Sequence, residues 1–175
     1  MAAVLNKHIP PEINIYEKHT VVWFSNLSGC ANNLGLALGQ KDIFQYNAVG
    51  KKIKEHGGKY IWLVGHGEKD ETGILKVGGG EIVNIVDIAK MFEDNGAICL
   101  IDTCCAPAAR KAAIQASRLT INYYCIEDEA AITTQLSLAK DKSTWLTDFD
   151  TWWGANKFKK MHPKAPIAPA KGTTP

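Results

Sequence analysis

The sequence predicts an α/β domain whose mostly parallel central sheet is flanked by helices, and three observations support this fold class. Short apolar segments alternate with helix-like segments along the chain, as they do in βαβ units. Residues 60–64 and 97–101 are apolar throughout, which is typical of strands that are covered on both faces. The chain of 175 residues, 46% of them hydrophobic, is long enough to bury one sizeable core.

The predicted strands are short runs, several rich in β-branched and aromatic residues and most of them bounded by turn residues. In chain order they cover residues 20–25, 42–46, 60–64, 97–101 and 120–126. Residues 73–77 and 81–83 flank a run of three glycines at positions 78–80, and this pattern favours a β-hairpin.

The predicted helices lie between these strands and after the last of them. In chain order they cover residues 30–39, 47–56, 85–93, 106–117 and 145–158. The third helix should bury one apolar face, formed by Ile85, Ile88, Ala89 and Phe92. Pro107 is compatible with the fourth helix, because proline is tolerated in the first helical turn.

Charge is distributed unevenly along the chain. The net charge is only +2, but residues 157–175 contain five lysines and no acidic residue. Pro163, Pro166 and Pro169 interrupt the same stretch, so we expect a solvated and mobile end rather than a binding surface. We therefore predict an N-terminal segment at residues 1–19, one domain at residues 20–160, and a basic tail at residues 161–175.

The composition argues against several classes of function. Residues 1–15 lack the apolar run of a secretory signal, and no segment approaches the roughly 18 apolar residues of a spanning helix. We expect a cytoplasmic protein with no membrane partner and, because the body has no basic stripe, no nucleic-acid partner. The five cysteines are odd in number and show no C-x-x-C spacing, which predicts reduced thiols and no metal site.

Two of the predicted strands end in residues that can carry chemistry. One runs into His66-Gly67, and the other runs into Asp102-Thr-Cys104. If the strands are parallel neighbours, both ends lie at the sheet edge where open α/β sheets bind ligands. Either motif alone is more often a turn or a core thiol, but the two together are more specific. An imidazole beside a thiol promotes thiolate formation and supplies a proton to a leaving amine.

The block from residue 60 to residue 107 resembles the caspase superfamily, which includes caspases, metacaspases, gingipains and separases. The shared features are an apolar strand that ends in His-Gly and a second that ends in Asp-x-Cys, here Val-Gly-His66-Gly67 and Leu-Ile-Asp102-Thr-Cys104. Leu-Ser-Gly-Cys30-Ala-Asn-Asn33 is similar to a metacaspase segment that follows the first strand. The resemblance covers roughly residues 20 to 150 and implies a three-layer caspase-like fold.

The resemblance implies a cysteine endopeptidase with a Cys–His dyad. The Asp-x-Cys spacing selects Cys104 rather than Cys105 as nucleophile, and His66 would be the general base or acid. The backbone N–H groups of Gly67 and Cys104 are expected to form an oxyanion hole, because glycine leaves the backbone open to a reacting carbonyl.

The resemblance also implies an S1 pocket lined by Asp102, Asn33 and Cys30. Metacaspases have a second acid where this chain has Asn33, so we expect only a weak preference for Arg or Lys at P1. No cofactor is expected to be required, although some metacaspases depend on calcium. The expected partner is a protein or peptide substrate, and a protein partner or self-association could complete the site.

Two alternatives remain open at this level. Few residues of the domain follow the predicted strand at 120–126, so we expect a sheet that is abbreviated on its C-terminal side. Such a domain could have lost activity and act as a binding or assembly module. A flavodoxin-like nucleotide or signalling domain has less support, because neither G-x-G-x-x-G nor G-x-x-x-x-G-K-[ST] occurs.

Overall fold

The structure is a computed structural model. It describes residues 7–23, 43–45, 58–67, 74–76, 82–104, 107–126 and 145–163. The predicted helices at residues 30–39 and 47–56 lie outside the described residues.

The described strands confirm an α/β architecture. They are β1 (His19–Trp23), β2 (Ile43–Gln45), β3 (Tyr60–Val64), β4 (His66–Gly67), β5 (Ile74–Lys76), β6 (Ile82–Asn84), β7 (Cys99–Asp102), β8 (Asn122–Ile126) and β9 (Phe158–His162). Six of them form a central sheet in the order β2-β1-β3-β7-β8-β9. All neighbours in this sheet are parallel except β8 and β9, so the sheet is mostly parallel, as predicted.

Strand β3 lies inside the sheet and explains why its sequence is apolar throughout. It pairs in parallel with β1 on one side and with β7 on the other, and all five of its residues are buried. Side chains alternate between the two faces of a strand. Ile61 and Leu63 therefore join one core cluster, whereas Trp62 and Val64 join the other.

Helices cover both faces of this sheet. The helices α1 (Ile85–Asp94) and α2 (Ala108–Ala116) pack on the face that Leu63 joins, and α3 (Trp145–Ala155) packs on the opposite face. The Asn84 side chain caps α1 by accepting a hydrogen bond from the Val86 N–H at 2.8 Å. The buried residues of α1 are the four predicted ones, Ile85, Ile88, Ala89 and Phe92.

The predicted hairpin is present as a small second sheet. β5 and β6 pair antiparallel, with Leu75 opposite Val83. β4 adds to the outer edge of β5, so that His66 is opposite Lys76. The segment directly after β3 therefore enters the hairpin sheet.

The N-terminal segment, predicted at residues 1–19 to lie outside the domain, contributes to its core. Ile9, Ile13 and Ile15 are buried on the face covered by α3. The carboxylate of Asp150 in α3 accepts hydrogen bonds from three successive backbone N–H groups at residues 7–9. These contacts fix the segment before β1 begins.

The prediction of an abbreviated sheet is wrong, because β9 adds a sixth strand. The predicted helix at 145–158 ends earlier, at Ala155, and the predicted boundary of the tail at residue 161 falls within β9. Phe158 and His162 are buried at the two ends of β9, whereas Lys159 and Lys160 are exposed. Lysines on an edge strand are compatible with pairing on one side and discourage pairing on the other, which explains why this strand resembles a tail in sequence.

Within the described residues, no helix combines the length and the hydrophobicity that crossing a bilayer requires.

Candidate active site

The ends of β3 and β7 meet at the carboxyl edge of the central sheet. Leu63 in β3 is opposite Asp102 in β7. Thr103, the first residue after β7, is hydrogen-bonded to Leu63. The Leu63 carbonyl accepts hydrogen bonds from the Thr103 N–H at 3.1 Å and from the Thr103 hydroxyl at 2.5 Å. The segments that contain His66 and Cys104 therefore leave the sheet at the same edge, which confirms the predicted adjacency of the two strand ends.

The two candidate catalytic residues differ in what the structure describes. The backbone of His66 is in β4, and its side chain lies outside the described residues. Cys104 is described completely and is 0% exposed. Its thiol lies 3.9 Å from the Leu63 carbonyl oxygen, to which it donates, and it packs in the core cluster beneath α1 and α2.

Asp102, the last residue of β7, is the centre of a buried polar network. By strand alternation its side chain is on the face covered by α2. Arg110 in α2 donates from Nε to Asp102 Oδ2 at 2.7 Å and from Nη2 to Oδ1 at 3.4 Å. Tyr123 on the neighbouring strand β8 donates its hydroxyl to the same carboxylate. The ion pair is almost entirely excluded from solvent, with side-chain exposures of 1% and 0%.

The same network holds both backbone groups of Cys104. Its N–H donates to Asp102 Oδ1 at 2.9 Å, an arrangement in which a carboxylate closes a turn onto the backbone two residues later. Its carbonyl accepts a hydrogen bond from Arg110 Nη2 at 3.1 Å. The peptide groups on both sides of the candidate nucleophile are therefore fixed by one buried ion pair.

The raised pKa values of Arg110 and Tyr123 keep both side chains protonated at neutral pH, so that both remain hydrogen-bond donors. Burial alone would lower the pKa of Arg110, but the charge of Asp102, the neighbouring Cys104 and Tyr123, and the hydrogen bond to Asp102 together outweigh it, so the guanidinium pKa is raised. Burial and the same carboxylate raise the pKa of Tyr123 well above its ordinary value. Arg110 therefore stays charged and Tyr123 stays a hydroxyl donor.

The other two described cysteines are poor nucleophiles. Burial raises the pKa of Cys99 to about 11 and that of Cys125 to about 12. Only the thiolate is an effective nucleophile, so both side chains react slowly at neutral pH. The remaining cysteines, Cys30 and Cys105, lie outside the described residues.

The predicted S1 and oxyanion-hole residues differ in what surrounds them in the structure. Asp102 is 0% exposed and its charge is compensated by Arg110, so in this structure its carboxylate presents no surface to a substrate. The Cys104 N–H, predicted as an oxyanion donor, is bonded to Asp102. Gly67 pairs with Leu75 across the hairpin sheet. The other two predicted S1 residues, Cys30 and Asn33, lie outside the described residues.

Arg110 and Tyr123 are parts of this site that are not predicted from the sequence. One signal was available, because Arg110 is one of only two arginines in the chain and lies in the helix that follows Cys104. Tyr123 had no such signal. It is opposite Leu100 in the sheet, and this register is visible only once β7 and β8 are paired.

Comparison of the chain with protein-family models, with curated proteins and with solved structures found no match. Within the described part of the chain, no group of three or more His, Cys, Asp or Glu side chains is arranged to hold a metal ion. The predictions that no cofactor is required and that calcium can be an activator stay predictions.

Proposed function

We propose that the chain is a cysteine endopeptidase of the caspase-like superfamily, with Cys104 as nucleophile and His66 as general base or acid. The observation that carries the proposal is the parallel pairing of β3 with β7, in which Leu63 is opposite Asp102. A Cys–His dyad requires the two side chains to come within hydrogen-bonding reach, and strand ends at one sheet edge bring separate segments close together. A six-stranded sheet covered by helices on both faces is also compatible with a three-layer caspase-like fold.

In the proposed reaction, His66 accepts the proton of the Cys104 thiol as the sulfur attacks the scissile carbonyl. The C–N bond then breaks, the leaving amine takes the proton from His66, and a thioester remains on Cys104. Water adds to the thioester carbonyl and releases the acid product and the free thiol. The N–H groups of Gly67 and Cys104 are proposed to stabilise the oxyanion in both steps.

This reaction requires the loop after β7 to move. In the described conformation the Cys104 thiol is buried and its N–H is bonded to Asp102. The proposal therefore includes an open conformation, which substrate, a protein partner or self-association stabilises.

A weak preference for Arg or Lys at P1 is proposed from the family resemblance. Asp102 contributes to this preference only in a conformation where its carboxylate faces the substrate instead of Arg110. Cys30 and Asn33 are the other residues proposed to line the pocket.

The proposal is tested with fluorogenic peptides that carry Arg, Lys or Asp at P1, with and without calcium. Cys104→Ala and His66→Ala should each abolish turnover. Cys99→Ala is the matched control, because it removes an equally buried thiol at the start of β7, the strand that leads to Cys104. Absence of turnover under every condition, or turnover that survives Cys104→Ala, contradicts the endopeptidase proposal.

One observation favours a second candidate, an inactive caspase-like domain that acts as a binding or assembly module. Cys104 is fully buried, and both of its backbone groups are bonded within the protein. Size-exclusion chromatography with light scattering tests this candidate. If the domain is an assembly module, it should form a stable oligomer that Cys104→Ala does not change. A monomer that cleaves peptides contradicts this candidate.

A further inference from the structure

We propose that Arg110 is a positioning residue that holds Cys104 in its buried conformation and thereby controls access to the thiol. The inference deepens the proposed function and rests on it for its consequence in catalysis. It concerns regulation of the same site: the contacts of the Asp102–Arg110 pair with Cys104 must break before the thiol becomes accessible.

The inference rests on the contacts of the Asp102–Arg110 ion pair with the N–H and the carbonyl of Cys104. Arg110 reaches the Cys104 carbonyl directly, at 3.1 Å from Nη2. It reaches the Cys104 N–H through Asp102, whose Oδ1 accepts that N–H at 2.9 Å. Both distances are within hydrogen-bonding range. Because the two hydrogen bonds hold the N–H and the carbonyl of Cys104, they fix its backbone in the conformation that points the thiol into the core.

The guanidinium group suits this task better than an ammonium group. Its planar fork serves two acceptors at once, here the Asp102 carboxylate and the Cys104 carbonyl. Lysine at position 110 would keep the charge beside Asp102, but its single nitrogen cannot reproduce the fork. Arg110→Lys therefore weakens the hold on Cys104 while leaving the buried carboxylate compensated.

The same hydrogen bonds must break before Cys104 can adopt the conformation that the proposed reaction requires. While the Cys104 N–H points at Asp102, it is not available to a substrate carbonyl. Turning this peptide toward a substrate breaks the bond to Asp102 and moves the thiol out of the core. One rearrangement thus supplies the oxyanion donor and exposes the nucleophile.

The test measures thiol alkylation, which does not depend on turnover. Wild type and Arg110→Lys are treated with iodoacetamide under native conditions, and labelling at each cysteine is followed by tandem mass spectrometry that separates Cys104 from Cys105. Cys99 is the internal control, because it is as buried as Cys104 and lies at the start of β7, away from Arg110. For each cysteine, the alkylation rate in the variant is divided by the rate in the wild type, so that differences in intrinsic reactivity between cysteines do not enter the comparison.

We expect Arg110→Lys to raise the Cys104 rate by about ten- to a hundredfold, the effect of losing one hydrogen bond to a charged group. The Cys99 rate should stay unchanged, because buried thiols respond separately to local opening. An unchanged Cys104 rate overturns the proposal. Equal acceleration of both thiols also overturns it, because it shows general loosening. Arg118→Lys, at an exposed position, should change neither rate.

A second variant keeps the test decisive if Arg110→Lys does not fold by circular dichroism. Tyr123→Phe keeps the ring in the core and removes only the hydroxyl that donates to Asp102. It should accelerate Cys104 selectively but less strongly, and a lack of selective acceleration overturns the proposal. If Cys104 is selectively released while neither wild type nor variant cleaves peptides, the positioning role is supported and the endopeptidase proposal fails.

Discussion

The two ends of the central sheet bury polar side chains in opposite ways. At the carboxyl end, Asp102 and Arg110 form a charged pair beneath α2. At the amino end, His19 at the start of β1 is equally buried but neutral. Its Nδ1 accepts a hydrogen bond from Trp62 Nε1 at 2.8 Å, so the proton is on Nε2, which donates to the Asn14 carbonyl at 2.8 Å.

The comparison shows where this fold tolerates a buried charge. Burial is the main influence on His19 and lowers its pKa, against the opposing effects of the Asn14 carbonyl and Glu17. A neutral ring is sufficient there, because it only ties the N-terminal segment to β1 and β3. Burying an ion is costly unless it is paired. The charged pair occurs where a loop with a candidate catalytic residue needs both of its backbone groups fixed.

The largest effect is expected from breaking the charged end. Arg110→Met leaves the Asp102 carboxylate buried without a counter-ion and should lower the free energy of unfolding by about 3–5 kcal/mol. Urea denaturation followed by circular dichroism measures this change. Arg118→Met, at an exposed position, should change it by less than about 0.5 kcal/mol.

A double variant separates the ion pair from general packing at the same place. Replacing both partners, in Asp102→Leu with Arg110→Met, removes the uncompensated charge. We expect the double variant to be less destabilised than the sum of the two single variants, since the residues are in direct contact. Additive losses contradict the idea that the pair acts as a unit.

The neutral end should respond to pH instead. Because the pKa of His19 is lowered in the folded protein, the unfolded chain takes up the proton first as the pH falls below about 6.5. Stability is therefore fully present above that value and is lost as the pH falls from it through the lower, folded-state pKa. Urea midpoints between pH 8 and pH 5 test this prediction.

His19→Gln is the control for the titration. Its amide oxygen can accept from Trp62 and its amide nitrogen can donate to Asn14, but it does not titrate. The variant should show a flatter pH profile than the wild type. If the two profiles have the same slope, His19 is not the origin of the acid sensitivity.

A smaller effect is expected where the N-terminal segment is fastened to α3. Asp150→Ala removes the acceptor of the backbone N–H groups at residues 7–9 and should cost about 1–2 kcal/mol, as the loss of a capping carboxylate does. Limited proteolysis should then cleave near the N-terminus first. Asp94→Ala, in an exposed pair with Lys90, should leave the proteolytic pattern unchanged.

Asp150 and His19 titrate in different pH ranges, so their effects on stability can be distinguished. Burial alone would raise this pKa, but the three N–H donors and the nearby His8 outweigh it and lower the pKa below 3.8. The anchor therefore contributes stability above that pH and loses it only as the pH falls through the lower, folded-state value. Acid weakening above pH 5 does not come from Asp150.

The parts of the fold that were predicted correctly have patterns set by local geometry. β3 was predicted with its exact bounds from five consecutive apolar residues, and the buried face of α1 followed from helical spacing. β9 was missed because exposed lysines dominate its sequence, and only pairing with β8 identifies it as a strand. The isoleucines before β1 were missed because they follow no helix or strand period.

The candidate site was predicted to a similar extent. The adjacency of the two strand ends followed from the order of apolar runs, because parallel neighbours place their carboxyl ends together. The partner of Asp102 did not follow, because Arg110 reaches it through tertiary packing of α2 against β7. A carboxylate beside a nucleophile motif predicts a binding role from sequence, and only the fold shows its counter-ion.

The smallest effect concerns Gly154 in α3, which the N-terminal segment covers. A Cβ at this position would lie 2.5 Å from the His8 ring, so alanine requires that exposed ring to move. Alanine is otherwise favoured over glycine within a helix, by about 0.5–1 kcal/mol. Gly154→Ala should therefore give little or no gain in the wild type, and the full gain in a His8→Ala background. Thermal unfolding of the four proteins in this cycle measures the coupling. An equal gain in both backgrounds means that the His8 ring does not rest on α3.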